Sequence, residues 1–243
     1  KQYALENVTK FKASNASLIA IDPPTGQILA MVGSRDFFDP EIDGQYNATL
    51  ALRQPGSTMK PFIYSLALLR GYTRNTVIFD VPTQFSTACK PSETTNIEPP
   101  CYAPGNFDGI FRGPMTFESA LAQSINIPAV KLLAMVGIEP VMSKGYEMGI
   151  TNWEPTRGNM ANVGLSLVLG GREATLLDIT SAYSVYASRG EKIDPYAISE
   201  VKDRNGKVIF KYNPQSPRRV LSEDVAFLIS HILLDNNARL DTF

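Results

Sequence analysis

The chain has 243 residues, 44% of them hydrophobic and 19% charged, with a formal net charge of −1. A chain of that length buries roughly 70–75% of its unfolded surface, and the composition is that of a globular protein rather than a disordered one. The charge balance gives no polybasic face for nucleic acid, no run of 18 apolar residues is long enough to cross a membrane, and the chain opens on Lys1 with no signal-peptide pattern.

In chain order, Leu5, Val8 and Phe11 carry a weak helical pattern. Residues 18–21 and 27–32 alternate as strands around the turn Pro23-Pro24-Thr25-Gly26. Phe37, Phe38 and Tyr46 are expected to pack the loop that follows. Helical patterns run over residues 58–70, 116–123, 127–136, 139–148, 175–189 and 222–236. Residues 80–115, rich in Pro, Thr, Asn and Gly, form a long loop region, and loops of this length tend to be functional or mobile. Residues 196–202 and 207–212 form a hairpin about Asp203-Arg204-Asn205-Gly206. Strands at both ends with helices between them do not fit a βαβ repeat. They predict one α+β domain, residues 1–243, whose antiparallel sheet draws on both ends of the chain and is flanked by helices.

Two segments carry chemistry. In Arg53-Gln54-Pro55-Gly56-Ser57-Thr58-Met59-Lys60-Pro61-Phe62, Gly56 and Pro55 make a turn and Pro61 fits a helix's first turn, where amides have no intrahelical partner. Residues i and i+3 share a helix face, so the Lys60 amine is placed to activate the Ser57 hydroxyl as a nucleophile. Free first-turn N–H groups can hold a developing oxyanion. About one accidental S-x-x-K is expected in a chain this long, and Ser199 to Lys202 supplies one. On a strand, i and i+3 point to opposite faces, so that copy reads as a surface accident.

The second segment is Gln123-Ser124-Ile125-Asn126-Ile127-Pro128, between two helical patterns, with Pro128 suited to a first turn. Ser124 is either the N-cap of that helix, with Asn126 a local backbone satisfier, or both side chains line a cleft beside Ser57. S-x-x-K, S-D-N and K-T-G are the motif set of class A β-lactamases and penicillin-binding proteins. The middle motif here is S-I-N, with Ile125 in place of Asp.

On these motifs the chain resembles the transpeptidase domain of class A penicillin-binding proteins. Residues 20–33 resemble the family's opening hairpin, 45–57 the approach to the nucleophile, 120–130 the second-motif region, and 165–171 with 182–190 a later segment, all in collinear order from about residue 16. The resemblance implies a penicillin-binding protein/serine β-lactamase-like fold and a peptidoglycan D,D-transpeptidase. Ser57 would form the acyl-enzyme, Lys60 take its proton, Ser124 relay a proton to the leaving amine, and Asn126 hold the substrate amide. The implied partners are D-Ala-D-Ala donor and amine acceptor stem peptides, with β-lactams as inhibitors. The implied location is extracytoplasmic, with a membrane anchor and a glycosyltransferase domain elsewhere in the full-length protein.

Other readings stay in view. A serine β-lactamase or D,D-carboxypeptidase would pass the acyl group to water, and a non-catalytic β-lactam sensor or scaffold would keep the fold alone. K-T-G occurs nowhere in the 243 residues. The expectation is that the sequence stops before the strand that bears it, which would leave an exposed sheet edge and little activity in these residues alone. Loss of the motif is the alternative. In the implied compartment, Cys89 and Cys101 are expected to close their loop as a disulfide, the alternative being two unpaired buried thiols. Two Cys alone make no zinc site. Trp153 reads as a packing residue and His231 as a helix-surface one, and no motif for a nucleotide, haem or other cofactor is present.

Overall fold

The computed structural model describes residues 6, 10 and 13–239; the pattern of Leu5, Val8 and Phe11 lies outside them. The strands are β1 (Leu18–Ile21), β2 (Ile28–Val32), β3 (Val77–Asp80), β4 (Gly113–Thr116), β5 (Glu191–Lys192), β6 (Glu200–Lys202), β7 (Val208–Lys211) and β8 (Arg218–Arg219). The helices are α1 (Lys60–Leu69), α2 (Phe117–Ala122), α3 (Asn126–Val136), α4 (Ile138–Met148), α5 (Arg157–Met160), α6 (Leu176–Ala187) and α7 (Glu223–Leu234), joined by short 3-10 turns. The chain divides into two compact units. One comprises residues 1–54, 145–154 and 173–223, the other residues 55–144, 155–172 and 224–243.

The first unit holds the hairpins. β1 and β2 pair antiparallel with Leu18 opposite Val32. Their turn closes by Gly26 N–H to Asp22 O at 2.8 Å, with the Thr25 hydroxyl on the Asp22 carboxylate. β6 and β7 form the expected second hairpin, shorter than its sequence pattern and bulged at Val201/Lys202. The strands form four two-stranded ladders among the described residues rather than one continuous sheet. Distant parts of the chain still meet: Ile28 N–H donates to Tyr196 O and Tyr196 N–H to Gly26 O, a short parallel bridge. α6 packs on β1, capped by the Thr175 side chain on Asp178 N–H. Trp153 is fully buried, as a packing residue should be. β2 and β7 leave Leu29, Ile209 and Phe210 exposed.

Phe37, Phe38 and Tyr46 depart from expectation. All three are exposed, Phe38 by 85%, and they line a recess of about 690 Å³ instead of packing their loop. The loop is held by polar caps, Asp39 on Glu41 N–H and Asn47 on Thr49 N–H, so it folds without burying the rings.

The second unit is built on α1, in which every residue from Lys60 to Leu68 is buried. A helix apolar all round has no solvent face, and α3 and the 3-10 turn Leu165–Leu169 pack against it. α7 buries Val225, Ala226, Ile229 and Ile232 at helical spacing, while His231 stays on its surface, half-exposed. The long loop is closed at its base by β3 and β4, paired antiparallel with Asp80 opposite Gly113. Neither strand shows in the sequence pattern, because Gly113 and Pro114 mask β4 and only Val77-Ile78-Phe79 suggests β3. Within the loop, Cys89 and Cys101 form a disulfide with Cα atoms 5.6 Å apart.

Candidate active site

Ser57 lies on the 3-10 turn Gly56–Met59, which runs directly into α1. Pro61 falls in the first turn, where its missing N–H leaves no gap. Ser57 is exposed, whereas Lys60, one turn on, is 1% exposed. Burial without a charged partner penalises the ammonium, and desolvation lowers the Lys60 pKa from 10.5 to about 7.

All three hydrogen bonds of the Lys60 amine go to the 124–126 segment. They reach the Ser124 carbonyl, the Ser124 hydroxyl at 3.1 Å and Asn126 Oδ1 at 2.8 Å. The set suits both charge states. An ammonium donates to all three oxygens. A neutral amine donates to the carbonyl and the amide oxygen, and its lone pair accepts the Ser124 hydroxyl proton after that hydroxyl rotates.

Local folding explains how Ser124 arrives there. After α2 the chain turns with Ser124 at φ +56°. Ile125 N–H donates to Ala120 O and Ser124 N–H to Leu121 O, both at 3.0 Å. This is a Schellman C-cap with serine where glycine is usual. The helix-cap alternative for Ser124 is therefore corrected: the N-cap of α3 is Ile125, with no side-chain cap. Asn126 is likewise no local satisfier. Its Oδ1 accepts a hydrogen bond from Lys60 Nζ and its Nδ2 donates to Gly105 O at 2.9 Å, which leaves one Nδ2 hydrogen for a ligand. Gly56, Ser57, Ser124, Asn126, Phe107 and Leu169 all border a cleft of about 500 Å³.

The other S-x-x-K stays outside this arrangement. Ser199 is exposed, and Lys202 pairs with Glu200 at 2.7 Å on the β6–β7 hairpin. Two residues of the cleft region escaped the sequence reading. Asp80 is fully buried at the end of β3, and Asn106 donates to both its oxygens. An Asn in a Pro/Gly-rich segment reads as a turn residue, so only the buried carboxylate marks it.

The model of the penicillin-binding protein transpeptidase domain matches residues 16–239. The chain belongs to that family. It is 35% identical over 209 residues to penicillin-binding protein 1A of Rickettsia felis, covering 86% of this chain and 24% of that protein. To penicillin-binding protein 1A of Aquifex aeolicus it is 38% identical over 200 residues, covering 82% and 25%. The crystal structure of penicillin-binding protein 1A from Haemophilus influenzae superposes with a TM-score of 0.76 at 28% identity, over 92% of this chain and 35% of that one. The chain thus spans about a quarter of the length of these curated relatives. Among the described residues no helix is long and apolar enough to cross a membrane.

Proposed function

We propose that the chain carries the acyl-transfer site of an extracytoplasmic D,D-transpeptidase that cross-links peptidoglycan. The observation that carries this reading is the buried Lys60 amine, with a pKa near 7, which follows Ser57 by one turn and is bonded to the Ser124–Asn126 segment. Ser57 Oγ attacks the carbonyl of the D-Ala-D-Ala bond as its proton passes to the neutral Lys60 amine. The first-turn N–H of Ser57 donates to the oxyanion. The carbon–nitrogen bond breaks, and the proton returns through the Ser124 hydroxyl to the departing D-Ala amine. Asn126 offers its remaining Nδ2 hydrogen to the substrate amide. An amine on a neighbouring stem peptide then attacks the ester and regenerates Ser57.

β-Lactams present the same carbonyl without a diffusible leaving group, so they should acylate Ser57 and stay. A β-lactamase reading is disfavoured because the middle motif is S-I-N rather than S-D-N, with a buried isoleucine at position 125. The test is labelling of the protein that carries this chain with a fluorescent penicillin, followed by peptide mass spectrometry. The adduct is expected on Ser57, absent from Ser57→Ala, retained in Ser199→Ala, and lasting hours. An adduct elsewhere removes the assignment, and turnover within seconds makes the protein a hydrolase.

A further inference from the structure

We propose that Asp80 and Asn106 are a positioning pair that sets the geometry of the Ser124–Asn126 segment; this rests on the acyl-transfer reading of that segment. α3 begins on an apolar N-cap, Ile125, which has no side chain to accept the first-turn amides. Such amides need an acceptor from elsewhere when the helix start is buried. Asn106 supplies it across the loop: its Oδ1 accepts Asn126 N–H at 3.1 Å and Ile127 N–H at 3.4 Å.

An asparagine amide has two nearly isosteric orientations, and only one places oxygen toward the helix. Asp80, with the Ile110 carbonyl beside it, makes that choice. Its carboxylate is fully buried and accepts only, so the end of Asn106 that faces it must be Nδ2, found 2.8 and 2.9 Å from the two oxygens. Asp80 Oδ2 also accepts Arg112 N–H at 2.9 Å, and Asn106 Nδ2 also donates to Ile110 O at 2.8 Å. The loop is thereby tied to the end of β3. Gly105 O next door holds the Asn126 side chain, so the two adjacent residues fix both the backbone and the amide of Asn126. Asn126 in turn receives the Lys60 amine. A buried carboxylate thus orients an amide, the amide orients a helix start, and the helix start presents the groups that hold the proton-accepting lysine.

The pair predicts a swap. In Asp80→Asn, residue 80 loses its acceptor-only character and leaves Ile110 O alone to hold Asn106 Nδ2, so the acylation step should slow about 10- to 100-fold, as small misplacements in active sites do. Asn106→Asp sets two carboxylates face to face and should slow it as well. The double variant Asp80→Asn/Asn106→Asp restores one acceptor-only group toward the amides and a donor opposite it. Because it also turns a carboxylate oxygen toward Ile110 O, it should recover only part of the loss, with a rate clearly above that of Asn106→Asp, since coupled residues are non-additive. The measurement is penicillin acylation of the protein carrying this chain, resolved into pre-acylation affinity and acylation rate, well below the melting temperature. A second readout needs no chemistry: amide hydrogen exchange at Asn126 and Ile127, expected to be at least about tenfold faster in each single variant and slower in the swap than in Asn106→Asp.

Folded single variants that acylate within about twofold of the parent overturn the positioning role, as does unchanged exchange at Asn126 and Ile127. If Asp80→Asn does not fold, Asn106→Ser decides the matter, since it keeps the buried carboxylate and its Arg112 bond but is too short to reach α3. A parent protein that penicillin does not acylate at Ser57 refutes the acyl-transfer reading instead, and the exchange measurements still decide whether the pair holds the segment.

Discussion

Lys60 and Ser124 each carry a departure from ordinary side-chain or backbone chemistry that bears on the proposed function. The Lys60 pKa near 7 comes from desolvation. The neutral amine that can take a proton therefore becomes the majority form above neutrality, and the penicillin acylation rate should rise with pH through an apparent pKa of about 7. Lys60→Arg should lose that limb and most of the rate, because a guanidinium stays protonated. The linkage sign is fixed too. Between about 7 and 10.5 the unfolded chain binds a proton that the folded one has released, so the cost of burying Lys60 is relieved and stability rises with pH across that window. Chemical denaturation of Lys60→Met beside the parent should show their difference shrinking from pH 7 to 10. Ser124 is held at φ +56°, where a side chain costs about 1–2 kcal/mol. Ser124→Gly should therefore raise the melting temperature while slowing acylation. A variant that is less stable, or as fast as the parent, would contradict the account of Ser124.

Among the connecting elements, the 3-10 turn Leu165–Leu169 ends at Gly170, which sits against the turn that carries Ser57. A Cβ on Gly170 would lie 2.2 Å from Gly56 N, and Gly170 itself has φ +85°. Both the contact and the dihedral forbid a side chain. Gly170→Ala should push on the backbone that carries Ser57 and destabilise the fold by about 2–4 kcal/mol, in the range of backbone strain and overpacking. Gly158 has open space at its Cβ position, so Gly158→Ala should stay within about 0.5 kcal/mol of the parent. Denaturant midpoints of the two variants make the comparison. The disulfide works on a different element, the loop between β3 and β4. By chain entropy, closing a loop of this size stabilises by about 3 kcal/mol, and Cys89→Ser/Cys101→Ser should lower the melting temperature while leaving Ser57 in place.

Across the whole molecule, legibility in the sequence followed the range of the interactions. The turn-then-helix at Ser57, the α3 start near Pro128 and the β6–β7 hairpin are written in contiguous residues, so spacing and punctuation reveal them. The Schellman turn at Ser124 was hidden because serine stands where glycine would announce it. Asp80 and Asn106 were hidden because they are 26 positions apart and no local pattern links a strand end to a turn residue. Phe37 and Phe38 misled because aromatic residues are expected inside, while polar caps hold their loop without them. Packing carries the last prediction. α1 is buried on every face, whereas β7 is exposed along its whole length. Local opening follows burial and contact density. Amide exchange should thus be slowest in α1 and α3, near the global limit, and at least about a hundredfold faster in the β6–β7 hairpin. The two S-x-x-K copies would then differ in dynamics as they do in surroundings, Lys60 on a rigid core helix and Ser199 beside a ladder that opens readily. Exchange mass spectrometry that finds the hairpin as protected as α1 would show that burial does not set the order in which these elements open.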